Sequence, residues 1–229
     1  MKTKLIISLL VVNGLFFSSI AHAELDLKWS ELRLFISGNT YEKDQTQLNT
    51  LTDVDNIEKL KSFAGLGFEA VADYKPWVKL GTRLKFIGNS NYPVGSRASY
   101  LQILQYTAGI VARFPIAATN NVSMDLLAEL GLANTKIDIQ TLAGKATFNQ
   151  SAGFFQRAGA SLGLGGEEFK FYVEGGYEWQ NLNGLKSEGT LVNNISKVDL
   201  SGPYTAVGVI ISGLPEWIKP GKLFTVGGK

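Results

Sequence analysis

The 229 residues carry 22 Lys and Arg against 20 Asp and Glu, with no cysteine and a single histidine, His22. Near-neutral charge provides no steering field for nucleic acid or anionic lipid, and the lack of cysteine excludes a disulfide scaffold and thiolate chemistry. A hydrophobic fraction of 45% is ordinary for soluble chains too, so composition alone assigns no solvent.

Residues 1–23 read as a secretory signal peptide. Lys2 and Lys4 give a positive start, Leu5 to Phe17 a mostly apolar run, and Ala21-His22-Ala23 a small-residue cleavage site, so cleavage is expected between Ala23 and Glu24. The run is shorter than the roughly 20 apolar residues of a spanning helix, and no later segment supplies them. A membrane location would therefore have to use strands. Removing 23 residues from 229 leaves a mature chain of 206, with 20 bases and 20 acids once Lys2 and Lys4 are gone. That length suits one barrel domain over 24–213 and a short tail over 214–229, expected on the periplasmic side.

Strands are expected at about 30–41, 61–73, 76–88, 99–115, 121–135, 150–165, 168–181 and 198–213. Long polar connections follow the first, third, fifth and seventh: Glu42 to Leu60, Asn89 to Ala98, Lys136 to Asn149 and Leu182 to Lys197. Short ones follow the others, at Tyr74-Lys75, Ile116 to Asn120 and Gly166-Glu167. With the first strand starting in the periplasm, all long connections fall outside and all short ones inside, the asymmetry of bacterial outer-membrane barrels.

Side chains alternate between faces along a strand, and here the two faces differ in kind. In the third strand Val78, Leu80, Thr82, Leu84 and Phe86 oppose Lys79, Gly81, Arg83 and Lys85; in the seventh Phe169, Phe171, Val173, Tyr177 and Trp179 oppose Lys170, Tyr172, Glu174, Gly176 and Glu178. A soluble ligand carrier would show the same alternation reversed. Glycine separates the two, because a narrow barrel interior needs small residues beside large ones, whereas a water-facing strand has no use for them. Gly65, Gly67, Gly81, Gly109, Gly131, Gly153, Gly159, Gly163 and Gly176 share the charged face, which places that face inside and the apolar face toward lipid.

The inward ionisable set is then Glu31, Arg33, Glu69, Asp73, Lys79, Arg83, Lys85, Arg113, Asp125, Glu129, Arg157, Lys170, Glu174 and Glu178. Such a set can be an ion path or a paired network that fills a small barrel. Its seven acids and seven bases favour the paired network, since a selective lumen would carry an excess of one sign. Catalysis meets a sharper objection. His22 leaves with the signal peptide, which removes the general base of Ser-His or Asp-His chemistry and any His or Cys metal site. Asp53-Val54-Asp55-Asn56 lacks the glycine and distal glutamate of a calcium loop, and Gly227-Gly228-Lys229 lacks the context of a phosphate loop. No catalytic residue, metal or cofactor is expected.

Over its whole mature length the chain resembles the small eight-stranded outer-membrane barrels: the OmpX and Ail group, the OmpA transmembrane domain and the OmpW group. The resemblance lies in architecture. It implies an all-β, antiparallel, up-and-down transmembrane barrel of eight strands, with roles that range over adhesion, envelope integrity and passage of small apolar molecules. Such barrels usually end on an aromatic residue that closes the last strand; here Ile211 or Trp217 would stand there, with a tail from Leu214 onward. The expected protein is a monomeric, non-enzymatic barrel of the bacterial outer membrane. Its expected partners are membrane lipid, lipopolysaccharide and the barrel assembly machinery, with nucleic acid excluded. The alternatives are a narrow channel or transporter and, further off, a soluble periplasmic carrier.

Overall fold

The computed structural model describes residues 28–40, 62–91, 99–183, 185–189 and 197–213. The signal peptide with its Ala23/Glu24 junction, the loop holding Asp53 to Asn56, and the tail with Trp217 lie outside the described residues. Within them are ten strands: β1 (Lys28–Thr40), β2 (Ser62–Lys75), β3 (Val78–Asn91), β4 (Tyr100–Ala118), β5 (Val122–Thr141), β6 (Gly144–Gly165), β7 (Phe169–Asn183), β8 (Lys186–Gly189), β9 (Lys197–Asp199) and β10 (Gly202–Ser212). All pairings are antiparallel. β1 meets both β2 and β10, β10 meets β7, and β7 meets β6, so β1 to β7 and β10 close a ring of eight.

Three short turns lie at one end of this ring, and the longer connections at the other. The first turn is Pro76-Trp77 rather than Tyr74-Lys75, where proline needs no ladder donor. The second and third fall between Ala118 and Val122 and between Gly165 and Phe169. Ile211 pairs with both Leu32 and Phe169, which sets the last barrel strand firmly into the ring as far as Ser212.

The opposite end departs from the sequence reading. Lys136 to Asn149 is not a loop: β5 and β6 continue through it as a paired hairpin and turn only at Leu142-Ala143. In the last connection β8 adds to the upper edge of β6 and β9 to that of β7, so residues 197–199 belong to β9 and the barrel strand begins at Gly202. β6 reaches this height through a bulge. Between Ala133 and Thr135 of β5 it advances from Gly153 to Gln150, with Ala152 held at φ 58°.

Burial explains the extra height. Along the lower part of β5, Met124, Leu126, Leu130 and Leu132 are exposed while Asp125, Leu127, Glu129 and Ala133 are buried. From Lys136 the pattern is inverted: Ile137 and Ile139 are wholly buried and Lys136 is exposed. Leu101 and Ile103 of β4, Ala146 and Phe148 of β6 and Leu182 of β7 join them inside, with Phe63, Ile87, Val198 and Leu200, to form one apolar cluster. Below this level the barrel is apolar outside and carries charges inside, with Phe35, Tyr172, Ala206 and Ile210 as a smaller buried apolar group among them; above it the arrangement is that of a water-soluble protein. The exterior apolar band, from Val122 to Leu132 on β5, is about 33 Å along the strand and about 25 Å along the axis at the usual tilt. Aromatic pairs mark its margins, Phe86 with Tyr106 at 4.8 Å and Tyr177 with Trp179 at 4.9 Å near the inversion, Phe169 with Phe171 at 5.1 Å near the short turns.

Candidate functional site in the barrel lumen

Twelve of the fourteen predicted inward charges meet in one network. The bases are Arg33, Lys79, Arg83, Lys85, Arg113 and Arg157, and the acids Glu31, Glu69, Asp125, Glu129, Glu174 and Glu178, six of each. At the short-turn end Lys79 pairs with Glu31, which also takes Arg33 at 2.6 Å, and Arg33 reaches Asp125 at 3.0 Å. Ser161 couples this group to the next, accepting from Arg113 at 3.2 Å and donating to Asp125 at 3.3 Å.

Two arginines and two glutamates form the centre. Arg83 donates to Glu69 from Nε and Nη2 at 2.9 and 2.6 Å, and to Glu174 from Nη1 and Nη2 at 2.8 and 2.9 Å. Arg113 donates to Glu69 at 2.6 and 2.8 Å and to Glu174 at 2.7 Å. Above them Arg83 approaches Glu129 at 3.3 Å, Arg157 joins Glu129 at 2.8 Å and Glu178, and Lys85 meets Glu178 at 3.1 Å. Aromatic faces complete the shell, with Tyr204 under Arg157 at 4.4 Å, Phe35 under Arg83 at 5.0 Å and Tyr172 under Arg33 at 5.6 Å.

The ring order gives these contacts their meaning. β3 and β7 are four places apart in a ring of eight, so Arg83–Glu174 and Lys85–Glu178 cross the full width of the lumen. β1 and β5 are opposed in the same way, and Arg33–Asp125 is a third crossing pair. Arg83, Arg113, Glu69, Glu129, Glu174 and Glu178 are each at most 1% exposed. Buried charge on this scale is tolerated because every ion has opposite partners and directed hydrogen bonds.

Two predicted members stand apart. The Asp73 side chain is 51% exposed at the rim and comes no nearer to Lys79 than 3.8 Å. Lys170 turns to the neighbouring short turn, donating to the Thr119 carbonyl at 3.2 Å. Both sit where strands meet water, so alternation places them on the inner face without placing them in the lumen.

Glycine makes the room. A Cβ at Gly67 would stand 2.3 Å from the Phe35 ring, one at Gly131 2.6 Å from Phe155, one at Gly159 2.5 Å from the Tyr204 hydroxyl, and one at Gly109 2.8 Å from a Glu129 oxygen. Phe35 and Tyr204 were not singled out from the sequence. Phe35 shares the parity of Arg33 and Ser37, which was a usable signal; the last strand is apolar on both faces and gave none for Tyr204.

Above the ions lies a layer of uncharged polar groups. Gln105 donates to Thr135 and to Gln180, each at 3.0 Å, and the Ser201 hydroxyl accepts the Gln180 backbone N–H at 3.0 Å. Several groups of this layer remain without a hydrogen-bond partner among the described residues, namely Ser37 Oγ, Asn39 Oδ1, Gln105 Oε1, Thr107 Oγ1 and Gln180 Nε2. The apolar cluster borders them, with Ile87 paired to Gln105 and Phe63 to Asn39 on neighbouring strands.

No family profile matches the sequence, and no curated protein does. Solved structures are similar in fold. Ail, the attachment invasion locus protein of Yersinia pestis, is 13% identical with a TM-score of 0.47, over 80% of this chain and 98% of that one. A major outer membrane protein from Thermus thermophilus is 9% identical with a TM-score of 0.49, over 80% and 99%. Neisserial surface protein A is 10% identical with a TM-score of 0.44, over 80% and 96%. At these identities the likeness is one of barrel architecture and carries no function across.

Proposed function

We propose that this protein is a monomeric, non-enzymatic barrel of the bacterial outer membrane whose lumen does not conduct, and which serves as a rigid support for its long connections in surface interaction or envelope integrity. The observation that carries the reading is the set of buried, sign-balanced ion pairs spanning the lumen from wall to opposite wall. A conducting pore needs a continuous water path, and charges that each hold an opposite partner across a narrow barrel, although Arg33 Nη1, Glu129 Oε1 and Arg157 Nε find no partner among the described residues, have little reason to exchange those partners for passing ions. The apolar exterior band, of bilayer height and bordered by aromatic pairs, supports lipid as the surrounding solvent. Lipid, lipopolysaccharide and the assembly machinery are the partners such a location supplies. The non-enzymatic reading rests on the loss of His22 with the signal peptide and on lumen carboxylates that are committed to arginine and lysine.

Reconstitution in planar bilayers tests the closed lumen: no steady single-channel current is expected, and salt-dependent unitary currents would overturn it. Cell fractionation tests the location, with recovery in detergent-extracted outer membrane expected and recovery in the soluble periplasm refuting it.

A further inference from the structure

We infer that the lumen is closed by two independent seals of opposite chemistry, the ion network in its lower and middle part and the apolar cluster at its long-connection end, with a polar layer between them that binds water. The inference rests on the closed-barrel reading and adds where closure resides. The two seals share no residue: the network is built on Glu69, Arg83, Arg113 and Glu174 and their partners, the cluster on Leu101, Ile103, Ile137, Ile139, Phe148 and Leu182. Each stops what the other admits. An ion can exchange partners along a charged network but loses its hydration in a dry apolar passage; an apolar solute enters such a passage but gains nothing among paired charges.

The layer between them supports the separation. Ser37, Asn39, Gln105, Thr107 and Gln180 are each no more than 4% exposed, and each presents a polar atom that no described residue satisfies. Buried polar groups in folded proteins are paired with protein or ordered water, and none of the apolar side chains that border them, such as Ile87 and Phe63, can serve. Water is the ligand whose size and dual donor and acceptor character fit mixed carbonyl, hydroxyl and amide groups. The network and the cluster are thus two barriers in series on either side of a hydrated layer.

Four forms of the full chain test this in planar bilayers bathed in potassium chloride. They are the parent, a network variant (Arg83→Ser with Glu174→Ser), a cluster variant (Ile103→Ser with Phe148→Ser) and the combination. Parent, network variant and cluster variant are expected to give no steady current, and the combination a current at least about tenfold above the parent leak, as two serial barriers require. Steady current through either single-region variant shows that the remaining region is no seal and overturns the inference. A combined variant that is folded, by circular dichroism and by resistance to unfolding in cold detergent, yet silent overturns it as well. If the serine sets do not fold, the same four-way comparison with alanine at the same positions gives the same decision. Current through the parent would instead refute the closed-barrel reading itself, so the two failures are distinguishable.

Discussion

Glu174→Gln changes one charge at the centre of the barrel and almost no volume. The carboxylate takes three hydrogen bonds from two arginines, at 2.8 and 2.9 Å from Arg83 and 2.7 Å from Arg113, with its side chain wholly buried. An amide replaces one acceptor oxygen with a donor that faces a guanidinium. Arg83 and Arg113 are left sharing Glu69, with Glu129 at 3.3 Å as the one other near acid on Arg83 among the described residues. Breaking one partner of a buried pair leaves an uncompensated charge, and a loss of about 3–5 kcal/mol in folding stability is expected. Urea unfolding in lipid vesicles, followed by tryptophan fluorescence to which the exposed Trp179 of the same strand contributes, measures it. Arg83→Met with Glu174→Met should be less costly than the sum of the single changes, because both charges leave together and Arg113 keeps Glu69. A Glu174→Gln effect below about 0.5 kcal/mol, or strict additivity in the double variant, would refute the claim that these ions hold each other in place.

Leu130→Arg, at a position 55% exposed in the middle of the apolar band, should cost about 2–4 kcal/mol in vesicle unfolding. A neutral result would mean that lipid does not face this residue. Gly67→Ala places a methyl 2.3 Å from the Phe35 ring and should destabilise by about 1–3 kcal/mol; Phe35→Leu in the same chain should recover part of that loss, and no recovery would deny that the ring needs the glycine. Ala152→Gly relieves a left-handed backbone at the β6 bulge and is expected to stabilise by up to about 1 kcal/mol, whereas a lower urea midpoint would show that the bulge carries no such strain.

The lower barrel was legible because each strand in it faces two solvents and keeps one phase. Arg83, Glu129 and Glu174 could be placed inside from alternation together with the glycines beside them. The upper barrel was misread for a physical reason. On β5 the apolar residues move from even numbers, Leu130 and Leu132, to odd ones, Ile137 and Ile139, with no break in the strand. Such a phase change resembles the end of a strand and the start of a polar loop. Alternation reports that two faces differ, and only the surroundings say which face is in; when the outside changes from lipid to water, the apolar partner moves inward at constant period. On β6 the bulge at Ala152 adds its own shift, so Phe148 carries the parity of the lower exterior while lying wholly buried. Asp73 and Lys170 were misplaced by the same limit at the other end, since parity carries no information about depth.

The inversion of faces also acts as a waterline. On β5 the exterior changes from Leu132 to Lys136 within four positions, and on β7 from Trp179 to Asn181 within two. Sinking the barrel would draw Lys136 and its neighbours into hydrocarbon, and raising it would lift Leu132 and Phe154 into water, so displacement in either direction is opposed. A barrel of this kind fixes its own draught, and its hairpin summit stands at a constant height above the lipid whatever the long connections bind.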